Sequence, residues 1–241
     1  MIEIIPVHGL PEIQQDDDLA ALVVELVELQ PHDVLVLAQK AVSKAEGRVV
    51  RIDDYEASTK AVELAAGERD PREVEVILRE AKRIVRERGP LVIAETQHGF
   101  VCASAGVDAS NAPEAETVVL LPEDPDASAA RLRDRLRQLT GADVAVIVSD
   151  SFGRAWRQGT TDVAIGCAGL RPLLDLHGER DAAGYELHAT VIAVADELAG
   201  AAELVKGKLD GVPVAVVRGF DRRGEGTARE VVMPPERDLF R

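Results

Sequence analysis

The sequence is poor in cysteine and in aromatic residues, and it has no long hydrophobic run. Its 241 residues include two cysteines, and aromatic residues make up 3%. Neither Cys102 nor Cys167 belongs to a C-x-x-C pair, so we expect buried, reduced thiols rather than a disulfide. No stretch reaches about 18 uninterrupted apolar residues, which argues against a membrane span. The N-terminal sequence MIEIIPVHG does not resemble a signal peptide, and we therefore expect a cytoplasmic protein.

Positive charge is also in short supply. The formal net charge is −15, which argues against general binding to nucleic acid and against attraction to an anionic membrane. Hydrophobic residues nevertheless make up 46% of the chain. Because so few of these are aromatic, the core must consist mainly of Val, Leu, Ile and Ala. The length allows one large domain or two smaller ones. Because no low-complexity linker is visible, we predict a single unit over residues 1–241, with two interleaved subdomains as the alternative.

Several common catalytic motifs are missing. The sequence contains no G-x-x-x-x-G-K-[ST] loop, no G-x-G-x-x-G after a strand, no H-E-x-x-H and no G-x-S-x-G. Its five histidines are scattered, so a zinc site is not expected. The oxygen-donor residues that remain are Asp108, Asn111, Asp150, Ser151 and Asp162, and lysines and arginines lie near them in the sequence. That inventory favours magnesium or manganese together with a phosphorylated ligand.

The hydrophobic pattern predicts strands and helices without strict β-α-β alternation. This predicts an α+β fold with mixed or antiparallel sheets and flanking helices. We predict strands at residues 2–7, 34–38, 91–95, 100–103, 118–121, 144–148, 186–194 and 212–218. We predict helices at residues 19–29, 59–66, 72–88, 127–140 and 196–205, and a polar loop or short crossover at 173–184.

The segment 144–170 is the most informative stretch of the chain. A buried strand at 144–148 is predicted to end in Asp150 and its hydroxyl neighbour Ser151, a combination that suits a hard cation. Arg154 and Arg157 follow among glycines, which suits an anion. The alternative is a turn that uses Asp150 as a cap and carries surface arginines.

Two more segments suggest a bound phosphate or cation. Lys40 and Lys44 follow the strand at 34–38, which suits phosphate; the alternative is a solvated turn with two exposed lysines. Asp108, Ser110 and Asn111 lie within four positions of one another in a loop, which suits a divalent cation or a ribose and phosphate. The alternative for this loop is an Asx-type turn.

Five segments together resemble the coenzyme F-420:L-glutamate ligases, or gamma-glutamyl ligases. They occur in the same order, and the resemblance covers nearly the whole chain. The segments are QKAVSKAEGR at 39–48, CASAGVDASN at 102–111, SDSFGRAWRQGTTDVAIGCAG at 149–169, ADELAGAAELVKGK at 195–208 and PVAVVRG at 213–219.

The resemblance implies a reaction and an assembly. Members of this family use GTP to join L-glutamate to the lactyl carboxylate of coenzyme F-420-0, a deazaflavin, and can add further gamma-linked glutamates, releasing GDP and phosphate. It also implies divalent cations, Mg²⁺ or Mn²⁺, with two ions expected at the site and K⁺ as an activator. The family fold is an unusual α+β arrangement that forms an intertwined homodimer. The chain resembles the stand-alone form, without a C-terminal nitroreductase-like domain.

The resemblance further implies which residues do the work. Asp108, Asp150 and Ser151 match metal ligands, and Asp108, Asp150 and Lys44 would act in catalysis together with Arg154, which we add from its charge. The residues expected to contact GTP are Gly9, Leu10, Pro11, Glu12, Gln39, Lys40, Lys44, Asn111, Lys206, Gly207, Lys208 and Asp210. Some relatives place an acid or amide metal ligand near position 208, where this chain has a lysine. The alternative function is a metal-dependent phosphohydrolase or phosphotransferase acting on a nucleotide.

Overall fold

The computed structural model describes residues 1–221 and 223–239, which form twelve strands and six α-helices. The strands are β1 (Glu3–Pro6), β2 (Val34–Ala38), β3 (Val49–Arg51), β4 (Ala81–Arg88), β5 (Leu91–Thr96), β6 (Val101–Ala103), β7 (Thr117–Val119), β8 (Ala145–Arg154), β9 (Arg157–Ala168), β10 (Leu173–Asp175), β11 (Val191–Ala193) and β12 (Val214–Arg218). The helices are α1 (Leu19–Val24), α2 (Gln39–Ala45), α3 (Thr59–Ala65), α4 (Pro71–Glu80), α5 (Pro125–Thr140) and α6 (Val194–Lys206).

A five-stranded sheet forms the centre of the fold, with the strand order β1-β12-β2-β8-β9. Strands β2 and β8 are parallel, whereas the other neighbours in this sheet are antiparallel. Strands β2 and β12, together with the first half of β8, are apolar runs that are buried on both faces. Both faces are buried because the sheet has helices on each side, and this explains why these strands do not alternate between polar and apolar residues.

The two faces of the sheet pack against different helices. Side chains such as Leu35 and Val146 lie in one cluster with residues of α1 and α5, whereas Val36 and Ile147 lie in a second cluster with α6. The alternation of neighbouring residues between two cores is the period of two expected for a strand. Helix α5 approaches β9 so closely that a Cβ on Gly166 would lie 2.2 Å from the Pro125 carbonyl oxygen.

A third hydrophobic cluster contains residues from α3, α4, β5 and the segment around β7. Two small antiparallel sheets accompany it, β3-β7 and β4-β5-β6, and a further pair is β10-β11. This region places the loop after β6, which carries Asp108, beside the end of the central sheet. It therefore supplies one part of the site described below.

The α+β prediction, with mixed and antiparallel sheets and flanking helices, is confirmed, as is the strand at 34–38 with its bounds. The strands predicted at 91–95 and 100–103 are also confirmed, and they pair as the hairpin of β5 and β6. The single helix predicted over 72–88 is wrong in its second half. It ends at Glu80, and the chain continues as β4, which pairs with β5 through two register shifts.

Several other boundaries differ from the prediction. Strand β8 does not end at Ser149–Ser151 but runs on to Arg154, because β9 pairs with it along its whole length. The strand predicted at 186–194 is confined to β11, and the polar segment at 173–184 begins with β10, its partner. The helix predicted at 19–29 ends as α1 at Val24.

The helices and the two cysteines bear on the expectations for membrane spans and disulfides. Over the described residues, none of the helices has the length and apolar character that a membrane crossing needs. Cys102 and Cys167 are buried free thiols, as expected. Burial raises the pKa of each thiol to about 12, which keeps both in the unreactive neutral form.

Candidate functional site

A cavity of about 720 Å³ opens at the carboxyl end of β2 and beside the middle of β8. These two strands are parallel and in register, with Ala38 opposite Ser149. Gln39, which follows the end of β2, and Asp150, the next residue of β8, are therefore brought to the same region of the sheet. Ligands commonly bind in the crevice beyond the carboxyl ends of parallel strands, and the volume is that of a typical small-molecule site.

One wall of the cavity carries two lysines on α2. The solvated turn considered for this segment is wrong, because the chain forms a helix that starts at Gln39 directly after β2. The Lys44 side chain is only 9% exposed, and its Nζ lies 2.5 Å from Oε1 of Glu12, which is 61% exposed. The Gln39 amide accepts from the Ser43 hydroxyl, while its buried Nε2 has no hydrogen-bond partner. This wall therefore presents cationic groups and a donor to the cavity.

Asp108 lies beside Lys40, the other lysine of this wall. Its Oδ1 accepts a hydrogen bond from the Ser110 N–H at 2.7 Å, which is the Asx-type turn considered for the loop. Its Oδ2 lies 2.7 Å from Lys40 Nζ, which also donates to the Ser110 carbonyl. Burial alone would raise the pKa of Asp108, but these hydrogen bonds hold it below its usual value. The carboxylate is thus ionised and aligned by the turn.

Asp150 is a half-buried carboxyl group with other carboxylates nearby. Burial raises its pKa to about 7, and the nearby carboxylates of Asp162 and Asp108 add to the rise, whereas the Ser151 N–H and Lys208 oppose it. Asp108 and Asp150, which are 42 positions apart in the chain, therefore lie within electrostatic reach of each other. A bound cation would relieve the repulsion among these carboxylates.

Below Ser151 lies a chain of buried hydrogen bonds. The Ser151 hydroxyl donates to Asp162 Oδ1 at 2.7 Å. Asp162 Oδ2 accepts from Lys206 Nζ and from the Ser149 hydroxyl, each at 2.8 Å. The Lys206 side chain is 2% exposed and that of Asp162 is 4% exposed, so their ion pair is sealed from water. Burial opposes ionisation of Asp162, but the charge and hydrogen bonds of Lys206 lower its pKa.

The turn after α6 closes this side of the cavity. Gly207 adopts a positive φ of +60°, and a Cβ there would lie 2.3 Å from Asp210 Oδ2, so glycine is needed at this position. Lys208 Nζ donates to the Ser151 hydroxyl oxygen at 3.1 Å. A lysine thus stands where the resemblance suggested an acid or amide ligand.

The structure gathers most of the predicted site residues around the cavity. Those that line it are Leu10, Pro11, Glu12, Gln39, Lys40, Lys44, Asn111, Asp150, Ser151, Lys206, Gly207 and Lys208. Asp108 is reached through Lys40, and Asp210 packs on the turn at Gly207. Gly9 precedes the lining residues in a positive-φ conformation.

Arg154 is not brought to the cavity of its own chain. It lies near the tip of the hairpin that joins β8 to β9, where its Nη2 donates to the Gln158 carbonyl at 3.4 Å. Residues 153–160 of this hairpin are exposed, and Trp156 among them is 81% exposed. A substrate-binding role for Arg154 stays a prediction.

Sequence reasoning gave no role to Ser149 and Asp162 beyond noting that Asp162 belongs to an oxygen-rich inventory. The pairing of β8 with β9 is what would have indicated that these residues meet. Ser149 and Ser151 are two positions apart on β8, and Asp162 lies opposite Ser151 on β9. Within the described ranges, no group of three or more His, Cys, Asp or Glu side chains is arranged as a metal site. Any cation here would therefore need hydroxyl, water or ligand oxygens in addition to the carboxylates.

Comparisons with known proteins agree with the earlier resemblance. The profile of the family described as F420-0:Gamma-glutamyl ligase matches residues 9–219. A coenzyme F420:L-glutamate ligase from Methanopyrus kandleri is 48% identical over 100% of this chain and 98% of its own length. Proteins of the same description from Methanothermobacter thermautotrophicus and Haloarcula marismortui are 41% and 43% identical over the whole chain and cover 99% and 96% of their lengths.

Proposed function

The chain belongs to the F420-0:gamma-glutamyl ligase family, and on that premise we propose that it uses GTP to join L-glutamate to the lactyl carboxylate of coenzyme F-420-0. Further glutamates would be added by gamma linkage, and GDP and phosphate would be released. The family assignment makes the chain a ligase. The use of GTP, the metals and the roles of single residues are the parts that we propose.

The cavity at the end of β2, beside β8, is the observation that carries this proposal. Lys40 and Lys44 line it together with Asp150 and Ser151. Lysines bind phosphate oxygens as compact positive charges, and Asp150 and Ser151 offer oxygen donors for a cation. A nucleoside triphosphate with its metal requires these two kinds of group in one place.

The residues present fit one or two divalent cations. Mg²⁺ is usually held by one or two carboxylates together with water and substrate phosphates rather than by a cage of protein ligands. Asp108, Asp150 and the Ser151 hydroxyl would hold it together with such water and phosphate oxygens. When bound, the cation would neutralise developing charge on the transferring phosphoryl group. We also expect K⁺ to activate, as the family resemblance implies.

The reaction would proceed in two steps. The carboxylate of the acceptor attacks the γ-phosphorus of GTP, the bond to the β-γ bridging oxygen breaks, and GDP leaves. The amine of L-glutamate then attacks the carbonyl carbon of the acyl phosphate, an amide forms, and phosphate and a proton leave. In this scheme Lys44 releases Glu12 and holds a phosphate, while Lys40 keeps Asp108 ionised. Positioning and charge stabilisation supply the catalysis, and no side chain acts as a nucleophile.

We further propose that the chain acts as an intertwined homodimer. The exposed β8–β9 hairpin, with Trp156 at its tip, supports this assembly, because large apolar side chains on a projecting arm favour burial against a partner. In such a dimer Arg154 and Arg157 would reach a second copy of the chain. There they could bind a carboxylate or phosphodiester of the acceptor in a forked geometry.

A ligation assay tests the function. The protein is incubated with GTP, MnCl₂, KCl, L-glutamate and the deazaflavin acceptor, and mass spectrometry measures glutamyl additions. We expect products only when GTP, MnCl₂, L-glutamate and the acceptor are all present. KCl should increase the rate without being essential. Asp150→Asn should lower the rate on the order of 10³-fold, since it removes a charge that acts in the transition state.

The same assay separates the alternative function. Release of phosphate from GTP without glutamate and without acceptor, at the rate seen in the full mixture, would indicate a phosphohydrolase instead. Equal ligation in the presence of a chelator would contradict the proposed metal requirement.

A further inference from the structure

Ser149, Asp162 and Lys206 lie directly beneath Ser151, and none of them belongs to the proposed set of metal ligands. All three residues are buried. Their hydrogen bonds form one connected network that ends at the Ser151 hydroxyl. A buried network of this kind fixes the orientation of the group at its end, because each member is held by the next.

The direction of the last hydrogen bond decides what Ser151 can do. A serine hydroxyl has one proton and two lone pairs, and an ionised carboxylate can only accept. Ser151 therefore donates its proton to Asp162 Oδ1, at 2.7 Å. Its two lone pairs can accept from, or bind to, other partners. The Lys208 ammonium donates to the same oxygen at 3.1 Å. The outward face of the hydroxyl thus already accepts from a cationic group.

The carboxylate of Asp162 cannot rotate freely, because hydrogen bonds also hold its other oxygen, Oδ2. Oδ2 accepts from Lys206 and Ser149, each at 2.8 Å. The ammonium of Lys206 also donates to Ser149 at 2.8 Å and lies 3.7 Å from Glu203. The Lys206 ammonium is thus surrounded by groups of its own chain, as a structural counter-charge would be, and its predicted contact with GTP stays a prediction.

We propose that Asp162 is a positioning residue, which holds the Ser151 hydroxyl with its lone pairs towards the cation beside Asp150, and that Lys206 is its buried counter-charge. The inference rests on the metal site of the proposed function. Asp162 would raise metal affinity without touching the metal, as carboxylates behind metal ligands do in other sites.

Asp162→Asn gives a sharp test because Lys206 determines how the amide must lie. The ammonium can only donate, so the amide oxygen turns towards Lys206 and Ser149. The amide NH₂ then faces Ser151 and donates to its oxygen, which occupies a lone pair and turns the hydroxyl proton outwards. The variant keeps the volume of the side chain and a partner for Lys206, but it reverses the hydrogen bond that positions Ser151.

Binding of Mn²⁺, measured by electron paramagnetic resonance of the free ion with and without a non-hydrolysable GTP analogue, is the readout. We expect Asp162→Asn to weaken Mn²⁺ binding about tenfold or more. The matched control is Asp33→Asn, which alters another buried, ion-paired aspartate at the opposite end of β2, where Asp33 Oδ2 lies 2.8 Å from Arg218. The control should bind Mn²⁺ like the wild type even where it lowers the unfolding midpoint.

A double-mutant cycle with Ser151→Ala separates positioning from a general effect of charge. If Asp162 acts through Ser151, adding Asp162→Asn to Ser151→Ala changes Mn²⁺ affinity by less than about twofold. Saturating Mn²⁺ should also restore most of kcat to Asp162→Asn, which a merely structural loss would not allow.

Several results would overturn the assignment. An unchanged Mn²⁺ affinity in Asp162→Asn, or additive losses in the double variant, would refute positioning while leaving the metal site intact. Failure of the wild-type protein to bind Mn²⁺ even with the nucleotide analogue would instead overturn the metal site itself, and the role of Asp162 with it.

Discussion

Two lysine–carboxylate pairs border the cavity and differ in almost every physical respect. Lys44 pairs with Glu12, whose side chain is largely exposed, across a single 2.5 Å contact. Lys206 pairs with Asp162, and both side chains are sealed from water and connected to Ser149. The first pair can exchange partners at little cost because water replaces what Glu12 loses. The second cannot, because either charge alone would remain buried.

The difference teaches how lysines of one site divide their tasks. A lysine that must bind and release a phosphate needs a partner that can return to solvent. A lysine that maintains the shape of the site needs partners that cannot leave. Both lysines line the same cavity, and the sequence alone does not distinguish their roles. Only the groups that surround each ammonium do.

The largest expected effect follows from breaking the buried pair. Lys206→Met leaves the Asp162 carboxylate buried without its counter-charge, which should lower the free energy of unfolding by about 3–5 kcal/mol. Urea denaturation monitored by circular dichroism measures this loss. The matched variant Lys44→Met should cost less than about 1 kcal/mol, because Glu12 is solvated on its own. Equal losses in the two variants would contradict the distinction.

The next effect concerns the nucleotide. Lys44→Met should weaken binding of a non-hydrolysable GTP analogue by about 1.5–3 kcal/mol, the usual contribution of a hydrogen bond to a charged group. Isothermal titration calorimetry measures it at constant Mn²⁺. Unchanged affinity would mean that Lys44 does not hold a phosphate and that its pairing with Glu12 is structural after all.

A further test compares the cavity with the projecting hairpin. If the hairpin packs on a second chain, Trp156→Ser should weaken the dimer by about 2 kcal/mol or more, since buried aromatic residues dominate interface energy. Sedimentation velocity over a range of concentrations measures the shift. Asp33→Asn serves as a control that leaves the hairpin unaltered. A wild-type protein that is monomeric at all concentrations would refute the proposed dimer.

The smallest effect sharpens the exchangeable pair. Glu12→Gln removes the carboxylate that competes with phosphate for Lys44, so the GTP analogue should bind up to several-fold more tightly, in line with the modest value of an exposed ion pair. The same calorimetric titration measures this gain. Weaker binding would indicate that the Glu12 carboxylate itself contacts the ligand.

Much of the fold could be predicted where local sequence decides it. Strand β2 and helix α5 were recognisable because a buried apolar run and a Leu-spaced amphipathic segment each carry their own signal. Residues 81–88 misled because their apolar positions continue the helical spacing of α4. Two register shifts in the pairing of β4 with β5 interrupt the alternation of two expected for a strand. The partner strand β5, whose pairing makes residues 81–88 a strand, also lies outside this segment.

The same contrast applies to the site. Asp108, Asp150, Lys40 and Lys44 stand out because they are polar groups just after strands or in a short loop, and the structure brings them together. The part played by Asp162 depends on strand pairing and burial. Its partner Lys206 is 44 positions away, so no local pattern distinguishes it from an exposed acid.

A crystal structure with Mn²⁺ and a non-hydrolysable GTP analogue most directly tests whether separate loops combine into one nucleotide and metal site. We expect an anomalous peak between Asp108 and Asp150, within coordination distance of the Ser151 oxygen, and a phosphate on Lys44 in place of Glu12. A nucleotide bound elsewhere, or Mn²⁺ that does not contact either aspartate, would contradict it.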